Sequence, residues 1–214
     1  EQVYNRAREL SQQVLESRQL LQALLGLRGF YQVRGDFHTA RELGEQAVAL
    51  ASRVQDPELV AYAHYSLGHT MFSLGAFATA RAHFEHGVAS AVRQPQRAAP
   101  FASHVHTEVL NRTMLASSLG YLGYVDQALT QVQQGRALAQ ELRHLPSLEL
   151  ALSHTARVHL LRREAPPAHA DSSAALAIAD EQRFAQRSGG DAVLRGWALS
   201  RQGQAEEGIA QIIQ

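Results

Sequence analysis

The sequence predicts an all-α fold: a right-handed superhelical solenoid of helical hairpins with a period of about 40 residues. Two observations carry that expectation. Gly35, Gly75, Gly123 and Gly203 each precede a segment with a small residue five positions on, at Ala40, Ala80, Ala128 and Gly208. Gly35 to Gly75 spans 40 residues and Gly123 to Gly203 spans 80, which places a middle turn at Arg163 and Glu164, while Gly75 to Gly123 is irregular at 48. Between these turns apolar residues recur at three-and-four spacing, the pattern of helices with one greasy face. A hairpin of this kind buries that face only against its neighbours.

Residues 1–17 carry Val3, Tyr4, Ala7, Leu10 and Val14 on one stripe and are expected as a trailing second helix whose partner lies upstream. Repeat one, 18–56, has Leu20, Leu21, Leu24, Leu27 and Tyr31 on its first helix, a Gly35-Asp36 turn, and a second helix to about Val54. Asp56-Pro57-Glu58 then opens repeat two, 57–102: Asp caps free amides, Pro is preset for the first turn, and Glu favours the positive helix end. Pro95 and Pro100 break the register, so a loop is expected over 92–104. Repeat three, 103–145, carries Leu115, Leu119, Gly123, Ala128, Val132 and Leu138. Pro146 opens repeat four, 146–182, with Leu148, Leu150, Leu152, Val158 and Leu161, and Pro166-Pro167 suits the start of its second helix. Repeat five, 183–214, has Val193, Leu194, Trp197 and Leu199, a Gln202-Gly203 turn, and a second helix that stops short at Ile213. The whole of 1–214 is expected to be one array, cut at both ends from something larger.

Composition excludes several functions. Apolar residues make up 45% of the 214, so the chain folds. Twenty acidic residues balance twenty basic ones, leaving no basic excess for nucleic acid. No apolar run is long enough to span a membrane. Cysteine is absent, which removes disulfides and thiolate metal sites and agrees with a cytoplasmic setting. All basic residues are arginine, as GC-rich bacterial coding would give.

With Gly123-Tyr124-Val125-Asp126-Gln127-Ala128-Leu129 and Gly68, Gly75, Ala80 and Phe84 in place, the chain resembles tetratricopeptide repeats of a long variety. The runs Leu119 to Leu129 and Leu194 to Leu199, with Gly203, Glu206, Glu207, Gly208 and Ile209, look like the C-terminal repeats of bacterial adenylate/guanylate cyclase-like proteins that also carry an AAA-type ATPase domain. The resemblance implies a non-catalytic interaction or sensing arm of a larger signalling protein. Arg28 and Ala116 depart from it where helix A commonly has glycine, Gly44 where helix B has an aromatic, and the fourth turn lacks its glycine. A phosphate-binding Gly-x-x-x-x-Gly-Lys loop is ruled out by the absence of lysine.

In such hairpins the first helices line the concave face. Counting each turn glycine as position 15, positions 2, 5, 9, 12 and 13 give Tyr62, Tyr65, His69 and Phe72 in repeat two. Repeat three gives Leu110, Thr113, Ser117 and Tyr121; repeat four Ser153, Arg157 and Leu160; repeat five Val193, Trp197 and Arg201. The expected partner site is a groove formed by Tyr62, Tyr65, His69, Phe72, Tyr121, Arg157, Trp197 and Arg201, holding a protein segment or peptide. Exposed aromatics and arginines are the usual anchors of such contacts, although each ring could equally fill a gap between hairpins. Arg157 and Arg201 suit an acidic group or a solvated surface pair. A small-molecule sensor of a transcription activator or signalling ATPase is the alternative, and self-association through the terminal hairpins a third possibility.

Eleven histidines include the near pairs His83 and His86, His64 and His69, and His104 and His106. His-Glu-x-x-His spacing is absent, and no metal or other cofactor is expected. Ser103, His104, His106, Thr107 and Glu108 are the densest set of catalytic residue types. Proximity in sequence makes no triad, and no enzyme activity is expected of this stretch.

Overall fold

The computed structural model describes residues 17–92, 105–183 and 188–213. Among these residues all regular structure is helical. The helices are α1 (Ser17–Val33), α2 (Phe37–Val54), α3 (Pro57–Ser73), α4 (Phe77–Ala91), α5 (Thr107–Tyr121), α6 (Val125–Glu141), α7 (Leu145–Leu161), α8 (Ala165–Gln182), α9 (Ser188–Arg201) and α10 (Ala205–Ile213). They fall in two compact units, Glu1–Ser103 and His104–Gln214. The trailing helix expected over 1–17 (but for Ser17, the first residue of α1) and nearly all of the loop expected over 92–104 lie outside the described residues.

Each helix starts and stops for a local reason. Asp36 caps α2, accepting from the Thr39 amide at 3.2 Å and the Thr39 hydroxyl at 2.8 Å, and these bonds hold its carboxyl below the usual carboxylate range. Asp56 caps α3 through the amides of Glu58 (3.1 Å) and Leu59 (3.4 Å), and also pairs with Arg18. Asp56→Ala should cost the first unit about 1 kcal/mol, read as a lower urea midpoint; an unchanged midpoint would show that the cap carries no stability.

The turns inside the five hairpins share one closure. The residue after the last helical turn is left-handed, with φ of +77° at Gly35, +76° at Gly75, +88° at Gly123 and +90° at Gly203. Its amide reaches the carbonyl three back and the next amide the carbonyl five back, as in Gly75 to Phe72 (3.0 Å) and Ala76 to Met71 (2.9 Å). The fourth hairpin, which lacks the glycine, closes identically: Arg163 takes φ +59°, bonds Leu160 at 2.9 Å, and Glu164 bonds His159 at 2.9 Å. The missing glycine therefore leaves the turn unchanged.

In the first unit α1 packs on α2, α2 on α3, and α3 on α4, with α1 also touching α3. The second unit repeats the pattern: α5 to α10 pack in succession, and the first helices α5, α7 and α9 touch in sequence. Every second helix from α2 to α8 buries residues on one register: 40, 44, 47, 51; then 80, 84, 87, 91; then 128, 132, 135, 139; then 168, 172, 175, 179. Ten of these sixteen residues are alanine, so the paired helices approach closely and larger side chains are confined to a few slots.

Candidate functional site

In the first unit the row formed by α1 and α3 carries the expected site residues of repeat two. Tyr62 and Tyr65, one helical turn apart, place their rings 5.8 Å apart at 35°, and the Tyr65 ring lies 6.1 Å from that of His69. All three are half-buried. The backing residue comes from α1: Arg28 is only 8% exposed, donates from NH1 to the Ser66 carbonyl at 3.2 Å, and has a buried Nε without an acceptor. Among the described residues no carboxylate pairs with it. Burial holds its guanidinium below its ordinary value, while the neighbouring Tyr65 and Tyr62 act the other way.

The electrostatics follow from this buried cation. Burial first, and the Arg28 charge second, push His69 down to about 4, so its imidazole is neutral at pH 7. Burial likewise raises Tyr62 against the pull of Arg28. Beside the cluster, Thr70 donates to Gln32 Oε1 at 2.9 Å and Gln32 donates to Ser73 Oγ at 2.8 Å, locking α1 to α3. The result is a positive, aromatic, largely desolvated patch held on two rigid helices.

Phe72 does not join it. Its ring meets Phe77 edge-on at 5.2 Å across the α3–α4 turn. Tyr65 also approaches the core ring of Phe84 at 6.4 Å, so it serves the hairpin as well as the patch.

In the second unit the expected residues are more dispersed. Tyr121 at the end of α5 is 62% exposed, and Arg157 on α7 and Arg201 on α9 are also exposed. Trp197 is half-buried against the alanine cluster Ala165, Ala168 and Ala198, filling the join between α8 and α9. Leu110, Thr113 and Ser153 are buried. Polar residues knit successive hairpins instead. Ser117 Oγ lies 3.0 Å from His154 Nδ1, and the His106 amide donates to Ser147 Oγ at 2.9 Å. Asp171 accepts from Arg136 at 2.8 Å and Arg162 reaches back to Asp126, while within the fourth hairpin His159 meets Glu164 at 2.7 Å and Arg162 meets it at 2.9 Å. Of the residue types suited to catalysis, Ser103 and His104 lie outside the described residues; His106, Thr107 and Glu108 are buried, and Glu108 is tied to Arg112 at 2.8 Å.

Sequence reasoning missed Arg28 as a site residue, treating it only as a departure from glycine. It also missed the polar rungs, whose signal was present: Arg28 to Ser66 and Gln32 to Thr70 are 38 residues apart, Gln32 to Ser73 and His106 to Ser147 are 41, and Ser117 to His154 are 37. Polar residues recurring at one repeat length mark contacts between neighbouring hairpins.

Among the described residues no helix is long and apolar enough to cross a membrane, and no group of three His, Cys, Asp or Glu could hold a metal ion. No curated protein sequence matches the chain. By structure the chain is similar to BtubC from P. vanneervenii, with a TM-score of 0.76 and 16% identity over 98% of this chain and 84% of that one. It is similar to a putative kinesin light chain with nearly identical TPR-like repeats from Podosopora anserina, at TM-score 0.67 and 20% identity, covering 92% and 94%. A Rap protein complexed with competence and sporulation factor gives TM-score 0.78 and 13% identity, covering 95% of this chain and 54% of that one. Residues 19–91 match the tetratricopeptide repeat family.

Proposed function

We propose that the chain is a non-catalytic interaction module, the cytoplasmic repeat arm of a larger bacterial signalling ATPase or cyclase, and that it holds a peptide or helix of a partner protein. The observation that carries this reading is the α1–α3 patch of Arg28, Tyr62, Tyr65 and His69. Aromatic rings and a guanidinium, already desolvated and rigidly held, lose little freedom when a partner covers them. A buried cation with no carboxylate mate among the described residues favours a segment that brings one. That a structurally similar Rap protein is complexed with competence and sporulation factor supports this reading.

Panning a library of extended peptides against the full chain tests the reading. Enrichment is expected on the wild type and should fall about tenfold or more when Tyr62→Ala and His69→Ala are combined. Equal enrichment on the folded double variant would place binding elsewhere and sink the patch as the site.

A further inference from the structure

We propose that His64 on α3 and His83 on α4 form a two-imidazole site for a divalent late first-row metal ion, with Zn2+ as its probe, that staples the second hairpin of the first unit. The Nδ1 atoms of the two rings lie 3.1 Å apart. With metal–nitrogen bonds of about 2.0–2.1 Å, that gap subtends roughly 100° at an ion seated between them, inside the range of tetrahedral and cis-octahedral coordination. In the free protein the same two atoms share one proton, one ring donating and the other accepting. For the ion to enter, the donor ring moves its proton to Nε2, and each neutral imidazole offers one lone pair with no net proton release.

The surroundings suit that exchange. His86 stacks on His64 with ring centroids 5.2 Å apart at 12°, and its own Nδ1 is engaged with the Ala82 carbonyl at 2.8 Å. It therefore lies against the His64 ring with its Nδ1 already engaged. Glu45 on α2 lies close enough for its charge to bear on His83, and so favours a cation there. The His64 and His83 ring centroids lie 5.3 Å apart, so with His86 three imidazoles meet at one spot on the hairpin. His64 and His83 are both half-buried, leaving an open side for the waters that complete the shell. Two ligands give a site weaker and more exchangeable than a closed structural zinc site.

Tag-free full chain titrated calorimetrically with ZnCl2 at pH 7.5 should bind one ion saturably, and the ion should raise the melting temperature until a chelator is added. His64→Gln and His83→Gln should each weaken binding about tenfold or more, whereas His38→Gln and His169→Gln leave it unchanged. Should the two site variants lose structure, the wild type alone decides: in a histidine-selective 15N spectrum, the Nδ1 resonances of His64 and His83 should be the ones that shift with zinc. Affinity retained in both folded site variants, shifts at other histidines only, or no saturable binding would each overturn the site.

Discussion

Phe84→Ala should cost the first unit about 3–5 kcal/mol, enough to leave the α3–α4 hairpin open to exchange in the absence of denaturant. Among the described residues Phe84 is the largest fully buried side chain, with no solvent exposure. Its ring fills a slot that exists because Gly68 faces it: a Cβ added at Gly68 would stand 2.7 Å from Phe84 Cε1 and 3.0 Å from two further ring atoms. A rigid, enclosed ring cannot swing aside, so Gly68→Ala is also destabilising, by overpacking instead of a void. The two changes should be strongly coupled. In a Phe84→Leu background the added methyl regains space, and Gly68→Ala should cost less there than in the wild type. Urea titration of the four proteins, with amide exchange followed over residues 57–91, checks both parts. A Phe84→Ala chain within 1 kcal/mol of wild type, on the order of a surface change, would mean that the slot collapses freely.

That slot has a counterpart in the fifth hairpin. In the second and fifth hairpins the position seven before the turn glycine, on the first helix, faces the position nine after it, on the second. The pairs are Gly68 with Phe84 and Gly196 with Ile212. Where one member is large the other is small: a Cβ on Gly196 would meet Ile212 Cγ1 at 2.7 Å. Gly44 in repeat one has a different neighbour, since a Cβ there would stand 3.0 Å from Leu67 Cδ1. Each of these glycines is fixed by a contact off its own helix, which a residue-by-residue consensus does not record.

The helices themselves were legible because their signals are local. Caps such as Asp56, the glycine turns and the stripe of apolar residues act within a few residues of where they stand, and the helices fall between them. The patch was only half legible. Tyr62, Tyr65 and His69 follow from the register of one helix, but Arg28 joins them from another hairpin. The His64–His83 contact likewise crosses α3 to α4, a distance of 19 residues, whereas pairing by sequence proximity had linked His64 with His69 and His83 with His86. Neighbours across a hairpin are set by the turn as mirror plane, and counting along one helix does not find them.

Acid should loosen the first unit well above the range in which its carboxylates titrate. His69 titrates at about 4 in the folded chain because it is buried, with the Arg28 charge adding to the effect; His64 sits at about 4 through burial and then His83 and His86. An unfolded histidine titrates near 6.5. Above about pH 6.5 both states are neutral and these groups leave stability unchanged. Between about 6.5 and 4 the unfolded chain takes up protons that the folded chain refuses, so stability falls with pH by up to about 1.4 kcal/mol per unit for each such group, and levels off below. For His69 the integrated loss is about 2–3 kcal/mol. His64 adds less, since solvent reaches it more readily and screens its charge. Glu45 opposes the trend by favouring a charged His83, but burial and His86 outweigh it there. Urea midpoints at pH 7 and pH 5 measure the effect: the wild type should lose stability over that interval, and His69→Gln should lose distinctly less. Equal losses in the two proteins would mean that His69 is as well hydrated in the folded chain as in the unfolded one, and the desolvated patch on α1 and α3 would have no basis.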